Sequence, residues 1–221
     1  FILTVEEEMK KLLVIALVLI AVPAFAQQTL NYSWEDGGTI LGFYGNLCCD
    51  TNVSGPQVGL QGSTLPSFTC PGAVDGTNYL HIAEDPHYST PQAYIAWVTG
   101  LNDGDIVTAG FYGYDATPDA SPSHRIWGGY STSDDINNYV GSAGGGADYS
   151  PGLGWDFITF TWTFLGGDGN ALVIQDRLYS TPTTGDPEHT DYFVDDITVT
   201  APLHATIHFP EPVSPVESAS W

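Results

Sequence analysis

The sequence predicts an all-β protein, an antiparallel β-sandwich, in the residues that follow an apolar N-terminal segment. No stretch after that segment has the 3.6-residue spacing of apolar side chains that marks an amphipathic helix. Short runs rich in β-branched and aromatic residues recur between clusters of Gly, Asn, Asp, Pro and Ser. Runs of this kind on one domain-sized chain are typical of a sandwich. We expect strands at residues 30–34, 39–45, 78–84, 92–100, 105–115, 124–131, 155–164, 170–180 and 191–200.

The apolar N-terminal segment, residues 9–26, reads as a secretory signal peptide of bacterial type. It begins with Met9 and two lysines, continues with an apolar run, and ends on an Ala-Phe-Ala cleavage motif. An uncleaved membrane anchor is the alternative, although the apolar run is short for a membrane span. Residues 1–8 do not belong to such a signal, and we interpret them as a spurious upstream extension. We therefore expect a secreted protein, extracellular or on the cell surface, with no membrane insertion after cleavage.

Among the predicted strands, residues 158–164 give the clearest alternation, with four apolar side chains on one face and three threonines on the other. This pattern indicates a half-buried strand with Trp162 in the core, and we place Trp97 in the core as well. The glycine-rich residues 141–154 predict a surface loop. We expect the sandwich to cover residues 27–201. Residues 202–221 are rich in proline and predict a tail or linker; its abrupt end leaves open that the chain is a fragment of a longer protein.

The last predicted strand raises a question of burial. Side chains alternate faces along a strand, so Asp195 should share a face with Phe193, Ile197 and Val199, while Asp196 points the opposite way. A buried carboxylate is costly unless it is paired or binds a metal ion. The sequence must therefore satisfy Asp195 in some way.

The chain is strongly acidic, with a formal net charge of −22. Two of its four basic residues and three of its 26 acidic residues precede residue 27, which leaves two arginines against 23 acids. Nucleic acids and anionic membrane surfaces are therefore excluded as partners. The acidity fits divalent cation binding, a saline habitat, or simply the solubility of a secreted protein.

Three cysteines follow the signal segment: Cys48, Cys49 and Cys70. An oxidising compartment favours one disulfide, Cys49–Cys70 or Cys48–Cys70. It would close a loop of roughly twenty residues and stabilise the fold by roughly 3 kcal/mol. The odd cysteine is either free or joined to another chain. A zinc site is the weaker alternative, because no C-x-x-C spacing occurs.

Four sequence blocks, taken in order, resemble the jelly-roll carbohydrate-binding modules with a galactose-binding-like β-sandwich. They are "NYSWEDGGTILGFYGN" (31–46), "VDGTNYLHIAE" (74–84), "AWVTGLNDGDIVTAGFYGYD" (96–115) and "DYFVDDITVT" (191–200). Each block is weak by itself, but the order and spacing cover about residues 30–201. The resemblance does not resolve one family within this group.

The resemblance implies a structural calcium ion beside the first and last strands. Its candidate oxygen ligands in this sequence are Glu35, Asp75 or the Gly76 carbonyl, Asp195 and Asp196. Calcium binds six to eight hard oxygens in flexible geometry, which carboxylates and carbonyls supply. The alternative is that the two aspartates accept hydrogen bonds from backbone N–H groups at the strand end.

The resemblance also implies that the protein binds extracellular polysaccharide or another glycan. Aromatic rings stack on the apolar faces of sugars, and polar side chains bind the hydroxyl groups. For the aromatic residues the alternative is core packing, and for the arginines it is an ion pair with an acid. The candidate ligand-binding residues are Tyr112, Tyr114, Arg125, Trp127, Gln175, Arg177 and Tyr179.

Catalysis is not expected. Neither a G-x-S-x-G elbow nor an H-E-x-x-H zinc motif is present. His81, Glu84 and His87 could form an acid/base or metal cluster, but a strand end followed by a proline turn explains them as well. His204 and His208 we interpret as part of an exposed tail. Two alternatives to a binding module remain: a structural or adhesive protein of the cell surface or matrix, and a jelly-roll polysaccharide lyase or glycoside hydrolase. A cell surface or a catalytic domain is a further possible partner.

Overall fold

A computed structural model describes residues 26–44, 54–60, 64–65, 68–69, 72–84, 92–115, 124–146, 154–178 and 190–211. These residues form fourteen strands and no helix, and accordingly none of the described segments offers a helix that could cross a bilayer. Residues 9–25 of the predicted signal segment, all three cysteines, His87 and Tyr179 lie outside the described residues. The strands are β1 (Gln27–Tyr32), β2 (Gly42–Phe43), β3 (Ser54–Leu60), β4 (Thr64–Leu65), β5 (Phe68–Thr69), β6 (Asn78–Glu84), β7 (Gln92–Thr99), β8 (Ile106–Asp115), β9 (His124–Ser131), β10 (Gly141–Gly145), β11 (Gly154–Thr163), β12 (Ala171–Leu178), β13 (Thr190–Pro202) and β14 (Thr206–His208).

Two antiparallel sheets form the predicted sandwich. The first sheet has the order β11-β8-β13-β6-β3, with β1 paired to β13, and the second has the order β10-β9-β12-β7-β14, with β2 paired to β7. From β6 to β9 and again from β11 to β14, each successive strand changes sheet. This alternation is the connectivity of a jelly roll, so the predicted fold class is confirmed.

The core lies between the two sheets. It joins side chains such as Leu80, Phe111 and Val194 of the first sheet to Ile126 and Leu172 of the second, all at most 1% exposed. Alternate residues of each strand therefore face this core, and the others form the outer face of their sheet. Trp162 lies in the core at 3% exposure, as predicted.

The glycine-rich residues after 140 do not form only a loop, because residues 141–145 are strand β10 at the edge of the second sheet. The Nε1 of Trp162 donates a hydrogen bond to the Gly144 carbonyl at 3.0 Å. A Cβ atom on Gly145 would lie 2.1 Å from the Ile126 carbonyl oxygen. Only glycine fits so close to β9, so packing rather than strand propensity determines this element.

The chain continues the sandwich beyond residue 201. β14 pairs with β7, and Ala205 and Ile207 are buried in the core. The ring of Phe209 stacks on Tyr32 of β1, with centroids 5.4 Å apart. Residues 202–209 therefore belong to the sandwich rather than to the predicted tail.

Strand β13 contains a β-bulge at the two aspartates. Asp195 pairs with Tyr112 and Thr198 with Gly110, so residues 196 and 197 stand opposite one residue of β8. Asp196 has a φ of 45°, in the left-handed region, where non-glycine residues are uncommon. The bulge reverses the alternation. Tyr192 and Val194 therefore share the core with Ile197 and Val199, and the predicted grouping of Asp195 with Ile197 is wrong.

Candidate functional site

The described ligand-binding candidates fall on two separate surfaces. Arg125 and Trp127 of β9 lie beside Gln175 and Arg177 of β12 on the outer face of the second sheet. Tyr112 and Tyr114 lie on β8, in the first sheet. The candidates are therefore divided between two faces of the sandwich, because β8 does not belong to the same sheet as β9 and β12.

The outer face of the first sheet carries an aromatic cluster that holds the two tyrosines. Tyr114 contacts Trp155 and Phe193 edge-on, with ring centroids 5.4 and 5.8 Å apart. Tyr112 contacts Phe157 at 5.0 Å. The alternative of aromatic packing thus holds for both tyrosines, although the packing is on an outer face and not in the main core.

On the second sheet, two arginines meet one tryptophan. Arg177 stands directly opposite Arg125 in the antiparallel register, and Gln175 stands opposite Trp127. The guanidinium carbons of Arg125 and Arg177 lie 4.3 and 4.4 Å from the centroid of the Trp127 ring. These distances are those of cation–π contacts, so the indole ring of Trp127 interacts with both guanidinium groups.

Hydrogen bonds fix this group further. Arg125 donates from Nε to the Gly146 carbonyl, and Arg177 donates from Nε to Oε1 of Gln175 at 3.0 Å. Trp127 donates from Nε1 to Oγ of Ser142 on β10 at 3.1 Å. The Trp127 ring therefore helps to position both arginines.

Sequence reasoning missed the tyrosines that extend this face across β7. Tyr94 stands opposite Gln175 and is 4% exposed. Burial, followed by the nearby Tyr44, raises the pKa of Tyr94 to about 12, while the charge of Arg177 acts to lower it. Tyr44 and Tyr139 contact each other edge-on at 5.6 Å. The alternation Gln-Ala-Tyr at the start of β7 could have placed the side chains of Gln92 and Tyr94 on one face of the strand. No local pattern in the sequence indicates that β7 pairs with β12.

Trp97 also belongs to the outer face and not to the core as predicted. It is half-buried, stands opposite Val173 of β12, and donates from Nε1 to Oγ of Ser131 at 3.1 Å. Its ring contacts His208 of β14, with centroids 5.1 Å apart. The surface formed by the side chains of β9, β12 and β7 that point away from the core, together with Tyr44 and Tyr139, is here called the arginine face.

Gln92 contributes an unusual acceptor to the arginine face. It stands opposite Arg177 in the register of β7 and β12, and it is 5% exposed. Its Oε1 atom has no hydrogen-bond partner among the described residues. A buried polar atom without a partner costs free energy, which a hydroxyl or amide donor of a ligand could recover.

Two of the predicted calcium ligands, Glu35 and Asp195, bind the turn that precedes β6. Glu35 accepts hydrogen bonds through Oε1 from the backbone N–H groups of Thr77 and Asn78, at 2.7 and 2.6 Å. These donors hold the pKa of Glu35 below its usual value. Gly76 has a φ of 62°, and a Cβ there would lie 2.4 Å from Oε1 of Glu35.

Asp195 is fully buried and accepts three backbone hydrogen bonds. Its Oδ2 binds the N–H groups of Val74 and Asp75 at 2.7 and 3.2 Å, and its Oδ1 binds the N–H of Asp196 at 2.7 Å. Burial raises the pKa of Asp195 to about 6, and the three donors oppose that rise. Burial and the nearby Asp75 raise the pKa of Asp196.

These contacts fit a calcium ion only in part. Backbone N–H groups of the turn donate hydrogen bonds to the carboxylates of Glu35 and Asp195. For Asp195 this is the alternative to calcium binding that the sequence analysis gave. Within the described part of the chain, no three His, Cys, Asp or Glu side chains form a group that could hold a metal ion. Asp75 and Asp196, which repel each other, are the carboxylates a cation could bridge.

The histidines occupy ordered positions. His81 is fully buried and stacks on Phe193 at 5.0 Å, and the side chain of Glu84 is outside the described set. His204 lies 2.9 Å from Oδ2 of Asp105 through Nε2, and Nε2 of His208 lies 3.0 Å from Oγ1 of Thr99. His204 and His208 are therefore fixed to the sandwich and do not belong to a tail, although the side chain of His204 is exposed.

No protein-family model and no curated protein matches the sequence, but several solved structures are similar to it. The CBM22-1 xylan-binding domain of Paenibacillus barcinonensis Xyn10C is 13% identical, covering 80% of this chain and 97% of that domain, with a TM-score of 0.46. The CBM22-1 and GH10 modules of Clostridium thermocellum Xyn10B, complexed with xylohexaose, are 11% identical over 78% of this chain and 28% of that one, at 0.43.

A cyclase from Fischerella sp. TAU is 11% identical, covering 87% of this chain and 94% of the cyclase, with a TM-score of 0.43. Carbohydrate-binding modules are thus among the structures that this chain resembles, as the sequence blocks indicated, and an enzyme is another. All three TM-scores lie below 0.5.

Proposed function

We propose that this protein is a secreted, non-catalytic module that binds carbohydrate on the arginine face. The observation that carries the proposal is the composition of that face: aromatic rings stand beside amide and guanidinium groups on strands of one sheet. Gln175 and Tyr94 are nearly buried, and Tyr139 is 45% exposed. Apolar surface combined with a few placed polar groups is the general character of a small-molecule site.

Gln92 strengthens this proposal. Its Oε1, which has no hydrogen-bond partner among the residues that the structure describes, lies on the strand next to Arg177, and sugar hydroxyls are donors that could bind it. Tyr44 and Tyr139 border the same strand pair and supply ring surface for stacking on a sugar. The aromatic cluster around Tyr114 is the competing surface, and a control variant there distinguishes the two.

The test is retention of the full-length protein by a panel of soluble and insoluble polysaccharides, with an assay for released sugar. Tyr139→Ala should weaken binding about two- to tenfold, the worth of one aromatic stacking contact. Phe157→Ala, an exposed ring on the other sheet, is the control and should bind normally. Retention without sugar release supports the proposal. Released oligosaccharide would replace it with a lyase or hydrolase, and no retention by any polymer would favour a structural or adhesive role.

The calcium ion is a separate part of the proposal. Asp75 and Asp196 would supply carboxylate oxygens at the turn between β5 and β6, where the negative charge of Asp75 already raises the pKa of Asp196. A bound divalent cation would remove this repulsion and tie the turn to β13. Its role would be structural, and its test is the effect of a chelator on thermal unfolding.

A further inference from the structure

We propose that Gln92 determines which polysaccharides the arginine face accepts, because its Oε1 atom receives a hydrogen bond from one sugar hydroxyl that carries no ester or ether group. This inference rests on the proposed function, since it names the class of polymer that the same face selects. A polymer that is methylated or acetylated at that hydroxyl would be rejected.

The acceptor of Gln92 carries the first step. The side chain is 5% exposed, and its Oε1 has no hydrogen-bond partner among the residues that the structure describes. Buried polar atoms almost always have a partner, and each exception costs free energy in the folded protein. An acceptor kept at this cost on a candidate binding face therefore indicates a donor that the ligand supplies.

Other polar side chains of the arginine face already have partners within the protein. Oε1 of Gln175 accepts from Nε of Arg177 at 3.0 Å, and Nε1 of Trp127 donates to Oγ of Ser142 at 3.1 Å. Oε1 of Gln92 differs from these atoms in the described part of the chain. Its hydrogen bonding is thus what a ligand would change most on this face.

Aromatic rings border this acceptor. Tyr44 follows β2, and its backbone N–H donates to the Gln92 carbonyl at 3.1 Å. The Tyr44 ring contacts that of Tyr139 edge-on, with centroids 5.6 Å apart, and Tyr139 is 45% exposed. A sugar that stacks on an exposed tyrosine presents its hydroxyl groups around the edge of the sugar ring, where a neighbouring acceptor can bind one of them.

The chemistry of the acceptor limits the donor. An amide oxygen accepts hydrogen bonds and donates none, so the ligand group must carry a hydrogen on oxygen or nitrogen. On most polysaccharides that group is a hydroxyl. An O-methyl or O-acetyl group lacks this hydrogen and would leave the buried acceptor without a partner in the complex. A site built to bind a hydroxyl rejects an analogue that lacks it more strongly than an apolar pocket does.

The experiment compares the full-length wild type with Gln92→Met, which keeps a long unbranched side chain but has no amide acceptor. Affinity electrophoresis uses gels that contain a mixed-linkage β-glucan, a galactomannan, a pectic galactan or any further polymer that the polysaccharide panel retains. Each polymer is used in its native form and after O-methylation. The wild type should bind at least one native polymer about tenfold or more tightly than the methylated form.

Gln92→Met should weaken binding of that native polymer about five- to tenfold, the effect of one hydrogen bond to a buried acceptor. Its preference for the native over the methylated polymer should fall by a similar factor, because the variant no longer distinguishes the two at this hydroxyl. Gln92→Glu keeps an oxygen acceptor, so it should bind the native polymer more tightly than Gln92→Met does.

Thermal unfolding separates this role from a structural one. In the free protein Gln92→Met removes a buried acceptor that has no partner among the described residues, so the melting temperature should equal that of the wild type or exceed it. Gln28→Met is the matched control on β1. Nε2 of Gln28 donates to the carbonyls of Pro202 and Ala205 at 3.3 and 2.6 Å, so this variant should melt at a lower temperature and bind polymer normally.

The outcomes separate the two proposals. Equal affinity of the wild type and Gln92→Met for a native polymer, or an unchanged preference over its methylated form, overturns the role of Gln92 and leaves carbohydrate binding in place. A melting temperature of Gln92→Met as low as that of Gln28→Met would show a structural role instead. Retention by no native polymer, in these gels or in the wider panel, overturns both proposals.

Discussion

Substitution of Gly76 by alanine tests how the turn before β6 is held. The residue has a φ of 62°, and the added Cβ would lie 2.4 Å from Oε1 of Glu35. The left-handed backbone costs an alanine about 1 to 2 kcal/mol. Moving the Glu35 carboxylate breaks two charge-assisted hydrogen bonds, to the N–H groups of Thr77 and Asn78, and costs about 3 kcal/mol more, the lower end of the range because Glu35 is exposed. We expect a loss of about 4 to 5 kcal/mol in the free energy of unfolding.

Gly167→Ala is the matched control. Gly167 has a φ of 57°, and its Cβ would meet nothing within 4 Å, so only the backbone term of about 1 to 2 kcal/mol should appear. For a domain of this size 1 kcal/mol shifts the melting temperature by roughly 2–4 °C. Urea and thermal unfolding in the presence of chelator should therefore rank the two variants clearly.

A double-mutant cycle completes this test. In a Glu35→Ala background, Gly76→Ala should cost only the backbone term, because the displaced carboxylate is absent, and the coupling free energy should be about 3 kcal/mol. If Gly76→Ala costs the same as Gly167→Ala, or the same in both backgrounds, then the Glu35 carboxylate does not support the turn.

Three further predictions concern packing, the bulge and the C-terminal strand. Gly145→Ala should cost more than 2 kcal/mol in the free energy of unfolding by urea, because β9 must move, whereas Gly141→Ala, whose Cβ meets only an ordinary contact at 3.7 Å, should cost less than about 1 kcal/mol. Chelator should lower the melting temperature of the wild type and leave that of Asp196→Gly unchanged; a wild type that ignores chelator would exclude the calcium ion. Without calcium, Asp196→Gly should match or exceed the wild type in stability, because glycine accepts its φ of 45° without strain. Ending the chain at residue 201 should cost about 3 kcal/mol or more, since it removes buried Ile207 and the pairing of β14, and a truncated chain that melts like the full one would contradict this.

Much of the sandwich could be predicted because most strands have a recognisable pattern in the local sequence. β6 and β9 begin and end where the sequence indicates, since apolar alternation and turn residues are adjacent in the chain. The glycine-rich sequence of β10 has no such pattern. Its glycines are explained by the approach of Ile126 and Trp162, which are tertiary contacts. β14 was hidden by the proline residues that follow it.

The candidate site was predicted in its members more than in its arrangement. Arg125, Trp127, Gln175 and Arg177 could be grouped because each pair shares the parity of its own strand. That β9 and β12 are neighbours, and that β8 lies in the other sheet, depends on pairings between distant segments that no local pattern records. The bulge at Asp196 was equally invisible, because only a tertiary constraint keeps an aspartate at positive φ.

The pairing of β1 with β13 has a consequence for the order of folding. Gln27 stands opposite Pro202, and the pairing runs on to Tyr32 opposite Ile197, so the two ends of the sandwich close on each other. Neither sheet can be completed until almost the whole chain is available, and contacts between such distant residues slow folding to milliseconds or seconds. A nascent chain of this protein could complete the sandwich only after β14, which ends at residue 208, has been synthesised.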